Sequence, residues 1–282
     1  MDTPSLKGFN SEAHLKVFDI WNTYSDVRFK FLYGAFQENR FLAQTISSGN
    51  TILDVGCATG TTARWLKCNG LFEPSNYLGI DVGREVIDDA KSLYPDSTFE
   101  TVPPDWIYLN NHKYDVVFSR DVAMHQTDPL AFIDALINSC SKTLIFRIRT
   151  RDSGATILDT NLSCQVYGDE FWVPYIVLNI NELVERIKLQ SCVTSIELNR
   201  SYEVLGGLHG RHLPRELYFT EAGGAETSVR VQLSKHPSNN TPTVVSRDEF
   251  EGQSFLKKRR KKVELLKYTD LGRQQLARLF NM

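Results

Sequence analysis

The chain has 282 residues, 41% hydrophobic and 23% charged, with a formal net charge of −2, a balance that suits a soluble globular fold with a sizeable core. The start lacks a basic, apolar leader, no apolar run is long enough to span a bilayer, and five cysteines without a CxxC pair suggest neither a disulfide framework nor a zinc site, so a cytoplasmic protein without metal is expected. Charge is uneven: twelve Lys/Arg against six Asp/Glu follow residue 222, a net +6 that leaves the first 222 residues at −8 and argues against a whole-domain grip on nucleic acid.

Residues 11–46 carry Phe18, Trp21, Tyr24, Phe29, Leu32, Tyr33, Phe36 and Phe41 at spacings near three and four, which predicts one or two amphipathic helices forming a cap over residues 1–50. Thr51 to Leu66 then organises the chain. A β-branched run ends on Asp54, passes through Gly56-Cys57-Ala58-Thr59-Gly60 and enters a helical pattern, the signature of strand, tight turn and helix. The glycines let bare backbone approach a ligand, and the N–H groups opening the helix can meet negative charge. Neither GxxxxGK[ST] nor GxGxxG is present; DxGxxxG is. Tyr77-Leu78-Gly79-Ile80-Asp81 follows as a short buried strand ending on an acid 27 residues past Asp54, where a strand-helix-strand unit returns to the same sheet edge.

These two segments resemble the first two motifs of class I S-adenosylmethionine-dependent methyltransferases, with Ala58 standing where the family's first motif has its middle glycine. The resemblance implies a doubly wound α/β fold, mostly parallel and seven-stranded, with S-adenosylmethionine as cofactor and S-adenosylhomocysteine as product. It places Asp54, Gly56, Cys57, Ala58 and Gly60 on the methionine side of the pocket, and Asp81 with Val82 at the ribose. The strand Ser97–Val102 leads to Asp105 and Trp106, which the resemblance sets against the adenine, a carboxylate to accept from the amine and an indole to stack.

Tyr114–Ser119 reads as a fourth strand feeding Arg120-Asp121-Val122-Ala123-Met124-His125. In the family the acceptor pocket opens here, with Ser119 on the cofactor's side. An alcohol acceptor must lose a proton, and imidazole suits that task, so His125 is the candidate base and Asp121 a second candidate or its orienting partner; a purely structural histidine is the alternative. Asp128-Pro129 is a helix start. Thr143–Arg149 is a fifth strand, and alternation puts Arg147, Arg149 and Arg151 on one face, where they bind an anionic substrate group or pair with acids. With Arg120, Trp172 and Tyr175, Arg149 and Arg151 make up the candidate acceptor site, and Asp152–Leu178 its wall or lid.

Asn179-Ile180-Asn181-Glu182 resembles a capping box. Strands are expected at Val193–Leu198, at Tyr202–Leu205 and, as the final antiparallel strand, at Arg215–Thr220. The run from Tyr202 to Thr220 is similar to methyltransferases that modify bacterial surface polysaccharides. A methyltransferase core over 51–222 is therefore expected to O-methylate a sugar, glycan or other small molecule, followed by a basic extension over 223–282. Lys257–Lys262 and the apolar residues after it suggest association of 255–282 with an anionic membrane face or a partner. An RNA acceptor held by this tail, and a non-catalytic cofactor-binding protein, are the alternatives; the sequence leaves the oligomeric state open.

Overall fold

The computed structural model describes residues 21–249, apart from 72, 111, 168–170, 208–209, 220–222 and 237–239; the expectations for residues 1–20 and for the basic segment 255–282 lie outside the described residues. Short apolar runs form the centre. β1 (Ile52–Val55) pairs in parallel with β2 (Tyr77–Asp81) on one side and β4 (Tyr114–Arg120) on the other. β3 (Thr98–Thr101) extends the sheet beyond β2, and β5 (Cys140–Arg151) extends it beyond β4, all in parallel. β11 (Gly224–Leu233) then lies antiparallel between β5 and β9 (Val193–Tyr202), and β12 (Thr243–Glu249) runs parallel to β9. The order is β12-β9-β11-β5-β4-β1-β2-β3, with β8 (Leu178–Asn179) against β5. Because the chain leaves β1 toward β2 and β3 and returns on the other side as β4, the switch point lies between β1 and β4, where parallel α/β sheets open a ligand crevice at the strands' carboxyl ends.

Alternation along the strands builds two cores. Ile52, Phe118 and Ile145 face α1 (Asp26–Tyr33), α2 (Gln37–Thr45), α3 (Thr61–Cys68) and α4 (Arg84–Leu93), burying Phe29, Leu42, Trp65 and Ile87. Leu53, Val117 and Leu144 face α5 (Pro129–Asn138) and α6 (Ile180–Lys188), burying Ile133, Leu136 and Leu183. Each such side chain stabilises the fold by about 1.5–3 kcal/mol. Two helix starts are as the sequence suggests: the Asp128 carboxylate accepts from Ala131 N at 3.0 Å, and the Asn179 side chain from Asn181 N at 2.8 Å.

Three expectations change. The antiparallel strand completing the sheet is Gly224–Leu233; Arg215–Tyr218 is instead a turn of 3-10 helix. The sheet therefore continues past residue 222, and β8 and β12 add two strands to the expected seven. No strand covers Glu203–Leu205. The connection after β5 contains β6 (Cys164–Tyr167) and β7 (Phe171–Pro174), which join β10 (Arg211–His212) in a small antiparallel sheet ordered β10-β6-β7.

Candidate functional site

The turn after β1 is set by left-handed backbone. Gly56, Ala58 and Gly60 have φ of +75°, +47° and +79°. At Gly56 a Cβ would collide with Val122 Cγ2, and at Gly60 it would lie 2.8 Å from the Tyr94 ring, so glycine is required at both. Ala58 keeps a glycine-like conformation with a methyl group, at a cost of about 1 kcal/mol. Gly56 N and Cys57 N both donate to Ile80 O, at 2.8 and 3.1 Å, tying the turn to β2.

Asp81 closes this arrangement. Its Oδ2 accepts from Ala58 N at 3.0 Å and its Oδ1 from Gly83 N at 2.9 Å. Burial raises its carboxyl against the lowering effect of the Gly83, Ala58 and Val82 N–H groups. A carboxylate has roughly four acceptor sites, so two bonds leave capacity for a diol. Val82 beside it is half-buried. Asp54 behaves differently from the expectation of an acceptor facing the crevice. It is 1% exposed, accepts the Tyr77 hydroxyl at 2.8 Å, and is pushed up to about 7, mainly by burial and despite that hydrogen bond, with Asp81 adding repulsion. The Tyr77 hydroxyl thus ties Asp54 to β2. Two polar atoms at the strand ends, Thr59 Oγ1 and Ser119 Oγ, are buried without a partner, as fits a crevice completed by a polar ligand.

After β3, Asp105 is exposed. Trp106, the expected adenine stack, is a core residue: it is buried, its Nε1 donates to Gln126 Oε1 at 2.9 Å, and its ring meets Phe132 at 5.1 Å. The two rings are tilted at 59° to one another in the core.

His125 ends a short 3-10 turn, Ala123–His125, just past β4. Its Nδ1 lies 2.7 Å from Pro174 O, so Nδ1–H is the donor and the neutral ring carries its basic lone pair on Nε2. Ile176 N donates to Met124 O at 2.8 Å, so the end of β7 and the residues just after it brace this turn at two points. The Tyr175 ring stands edge-to-face with His125 at 5.7 Å. Trp172 on β7 is 37% exposed.

Asp121 does not orient His125. Its backbone is left-handed, φ +59°, and its carboxylate accepts from Arg147 Nε at 2.8 Å and Arg149 Nη1 at 3.0 Å. The expected anion-binding arginines are likewise engaged within the chain. Arg120 pairs with Glu38 at 2.9 Å, Arg149 with Glu226 at 2.7 Å, and Arg151 with Glu216 at 3.0 Å. Buried Glu38, delivered by α2, also meets Arg147 at 3.3 Å and accepts from Ser228 Oγ at 2.8 Å. Burial would raise the Glu226 carboxyl, but Arg149 and Arg147 overcome it and hold it well below the carboxylate range. Burial, with Arg120 adding repulsion, lowers Arg147 to about 10. Four arginines, Arg120, Arg147, Arg149 and Arg151, are thus paired with four carboxylates, Glu38, Asp121, Glu226 and Glu216, within the chain. Glu38, Glu226 and the Pro174 carbonyl had no sequence signal, since each meets its partner only through the tertiary fold.

A family model described as a methyltransferase domain matches residues 29–175. No curated protein sequence matches the chain. Among solved structures, a putative sarcosine dimethylglycine methyltransferase from Galdieria sulphuraria is similar at 11% identity and TM-score 0.56, over 79% of this chain and 99% of that one. The putative methyltransferase in complex with the Trm112 methyltransferase activator of Haloferax volcanii is similar at 14% identity and TM-score 0.50, over 79% and 98%. A magnesium protoporphyrin IX methyltransferase from Synechocystis PCC 6803 with bound SAH gives 15% identity and TM-score 0.49, over 80% and 96%. At these identities the likeness concerns the fold.

Proposed function

The chain belongs to the methyltransferase-domain family, class I and dependent on S-adenosylmethionine, and from that premise we propose that it O-methylates a sugar, glycan or other small molecule with His125 as general base. When bound, S-adenosylmethionine supplies a methyl group on a positively charged sulfur, already activated for in-line displacement. The turn of Gly56, Cys57, Ala58 and Gly60 holds the methionine end, Asp81 with Val82 the ribose hydroxyls, Asp105 the adenine amine, and Ser119 the crevice floor. Buried Thr59 Oγ1 and Ser119 Oγ, still lacking partners, fit such an occupant.

The observation that carries the proposal is the Nδ1–H of His125 on Pro174 O. With Nδ1–H so held, Nε2 is the nitrogen that takes the acceptor's hydroxyl proton, and the carbonyl steadies the imidazolium that results. Trp172 and the small sheet wall the acceptor side. No helix among the described residues is long and apolar enough to cross a membrane. The five cysteines are free thiols, which supports a cytoplasmic setting. A labelled-methyl screen across sugars, lipids and RNA finds the acceptor. On that acceptor His125→Ala should lower kcat by about 10²–10⁴, with affinity for S-adenosylhomocysteine kept. Undiminished turnover removes His125 from the base role, and transfer to RNA alone favours the nucleic-acid alternative.

A further inference from the structure

Arg211 was not among the residues expected at the acceptor site, yet the small sheet brings it there. β10 pairs with β6, placing Arg211 opposite Gln165, and its guanidinium carbon lies 4.6 Å from the centre of the Tyr175 ring. That ring meets His125 at 5.7 Å. The Tyr175 ring therefore contacts both Arg211 and His125, linking the three side chains.

The chemistry around Arg211 is one-sided. Arg120, Arg147, Arg149, Arg151 and Arg200 each meet a carboxylate. Arg211 meets none among the described residues, and strands β6, β7 and β10 carry no acidic residue. Its Nε is buried without an acceptor, and so is the hydroxyl of the fully buried Tyr175 beneath it. Arg211 as a whole is half-buried. Buried polar groups without partners, one of them on a cation that meets no carboxylate among the described residues, are costly to a fold and call for a partner; Arg211 can only donate and the Tyr175 hydroxyl can donate, so an acceptor group that carries negative charge would satisfy them. A planar guanidinium suits a carboxylate or a phosphate.

Building on the methyltransferase reading, we infer that Arg211 selects an acidic acceptor, a sugar-like molecule bearing a carboxylate or phosphate group away from the hydroxyl that is methylated at His125. The Tyr175 ring spaces the anion from the reacting oxygen, and the neutralised arginines of β5 take no part.

Calorimetric titration of the full chain, saturated with S-adenosylhomocysteine, using glucose, glucuronate and glucose 6-phosphate reads this without turnover. One acid should bind at least about tenfold more tightly than glucose, and the glucuronate and phosphate arms tell the two anions apart. Arg211→Gln should abolish the preference for the acid over glucose; Arg211→Lys should retain part of it. Equal affinity for acid and neutral sugar in the wild type, binding of none of the three, or a preference surviving in Arg211→Gln overturns the assignment. The wild-type comparison decides even where a variant fails to fold. Failure to bind S-adenosylhomocysteine strikes the methyltransferase reading instead, and the same three titrations on the unsaturated chain then judge Arg211 separately.

Discussion

The two halves of the crevice are made of different material. On the β1–β3 side the site is backbone: three left-handed residues, a turn tied to β2, and one carboxylate accepting two main-chain N–H groups. On the β4–β11 side it is side chain against side chain, with buried arginines and acids from α2, β4, β5 and β11 neutralising one another. Backbone geometry of this kind is fixed by a short stretch of chain, whereas a network of side chains can be altered one substitution at a time.

The difference is open to test, and the largest effect is expected in the charged half. Glu38→Ala leaves Arg120 and Arg147 short of a buried counter-charge, and loss of one partner of a buried pair costs about 4 kcal/mol. Urea unfolding should show that loss, with affinity for S-adenosylhomocysteine nearly unchanged in the protein still folded. A large fall in that affinity would mean that the halves are not separable. Gly56→Ala should do the reverse: strain at φ +75° and the collision with Val122 cost about 3 kcal/mol, and the displaced turn should weaken cofactor binding by roughly a hundredfold.

Asp54 supplies a pH test. Its folded pKa of about 7 lies above the ordinary 3.8, so its contribution to stability is full below the unfolded value and is lost as pH rises through 7. Between pH 5 and 8, wild type should lose about 2.5 kcal/mol relative to Asp54→Asn in urea unfolding. Glu226 acts with opposite sign: held low by its arginines, it contributes stability above the usual glutamate pKa that is lost in acid. Parallel pH profiles for wild type and Asp54→Asn would show that Asp54 is ionised in the fold. The smallest effect is at Ala58, where Ala58→Gly should stabilise by about 1 kcal/mol, relieving φ +47°. A destabilised variant would show that the methyl group packs usefully.

The same contrast governs what could be read from the sequence. Asp54, Gly56, Gly60 and Asp81 announce their turn because strand, glycines and strand-end acid are adjacent in the chain, and the crossing from β1 to β2 follows from length alone. Asp54 was legible as a residue but not in its role, since only the fold places the Tyr77 hydroxyl against it. Arg147, Arg149 and Arg151 were correctly set on one face, yet nothing local shows that β11 lies beside them and pairs Arg149 with Glu226. The alternation in Arg215–Thr220 suggested strand but folds as 3-10 helix over Arg215–Tyr218, while the strand that completes the sheet is Gly224–Leu233, placed between β5 and β9 only by the tertiary fold.

The central claim is that the Asp81 carboxylate, already gripping Ala58 and Gly83, holds the ribose of the cofactor. Calorimetry with S-adenosylhomocysteine on wild type, Asp81→Asn and Asp81→Ala tests it most directly. Loss of two charge-assisted hydrogen bonds, about 3 kcal/mol together, should weaken binding roughly a hundredfold in Asp81→Ala, with Asp81→Asn in between. Equal affinity in all three proteins, or no binding by the wild type, would contradict the account.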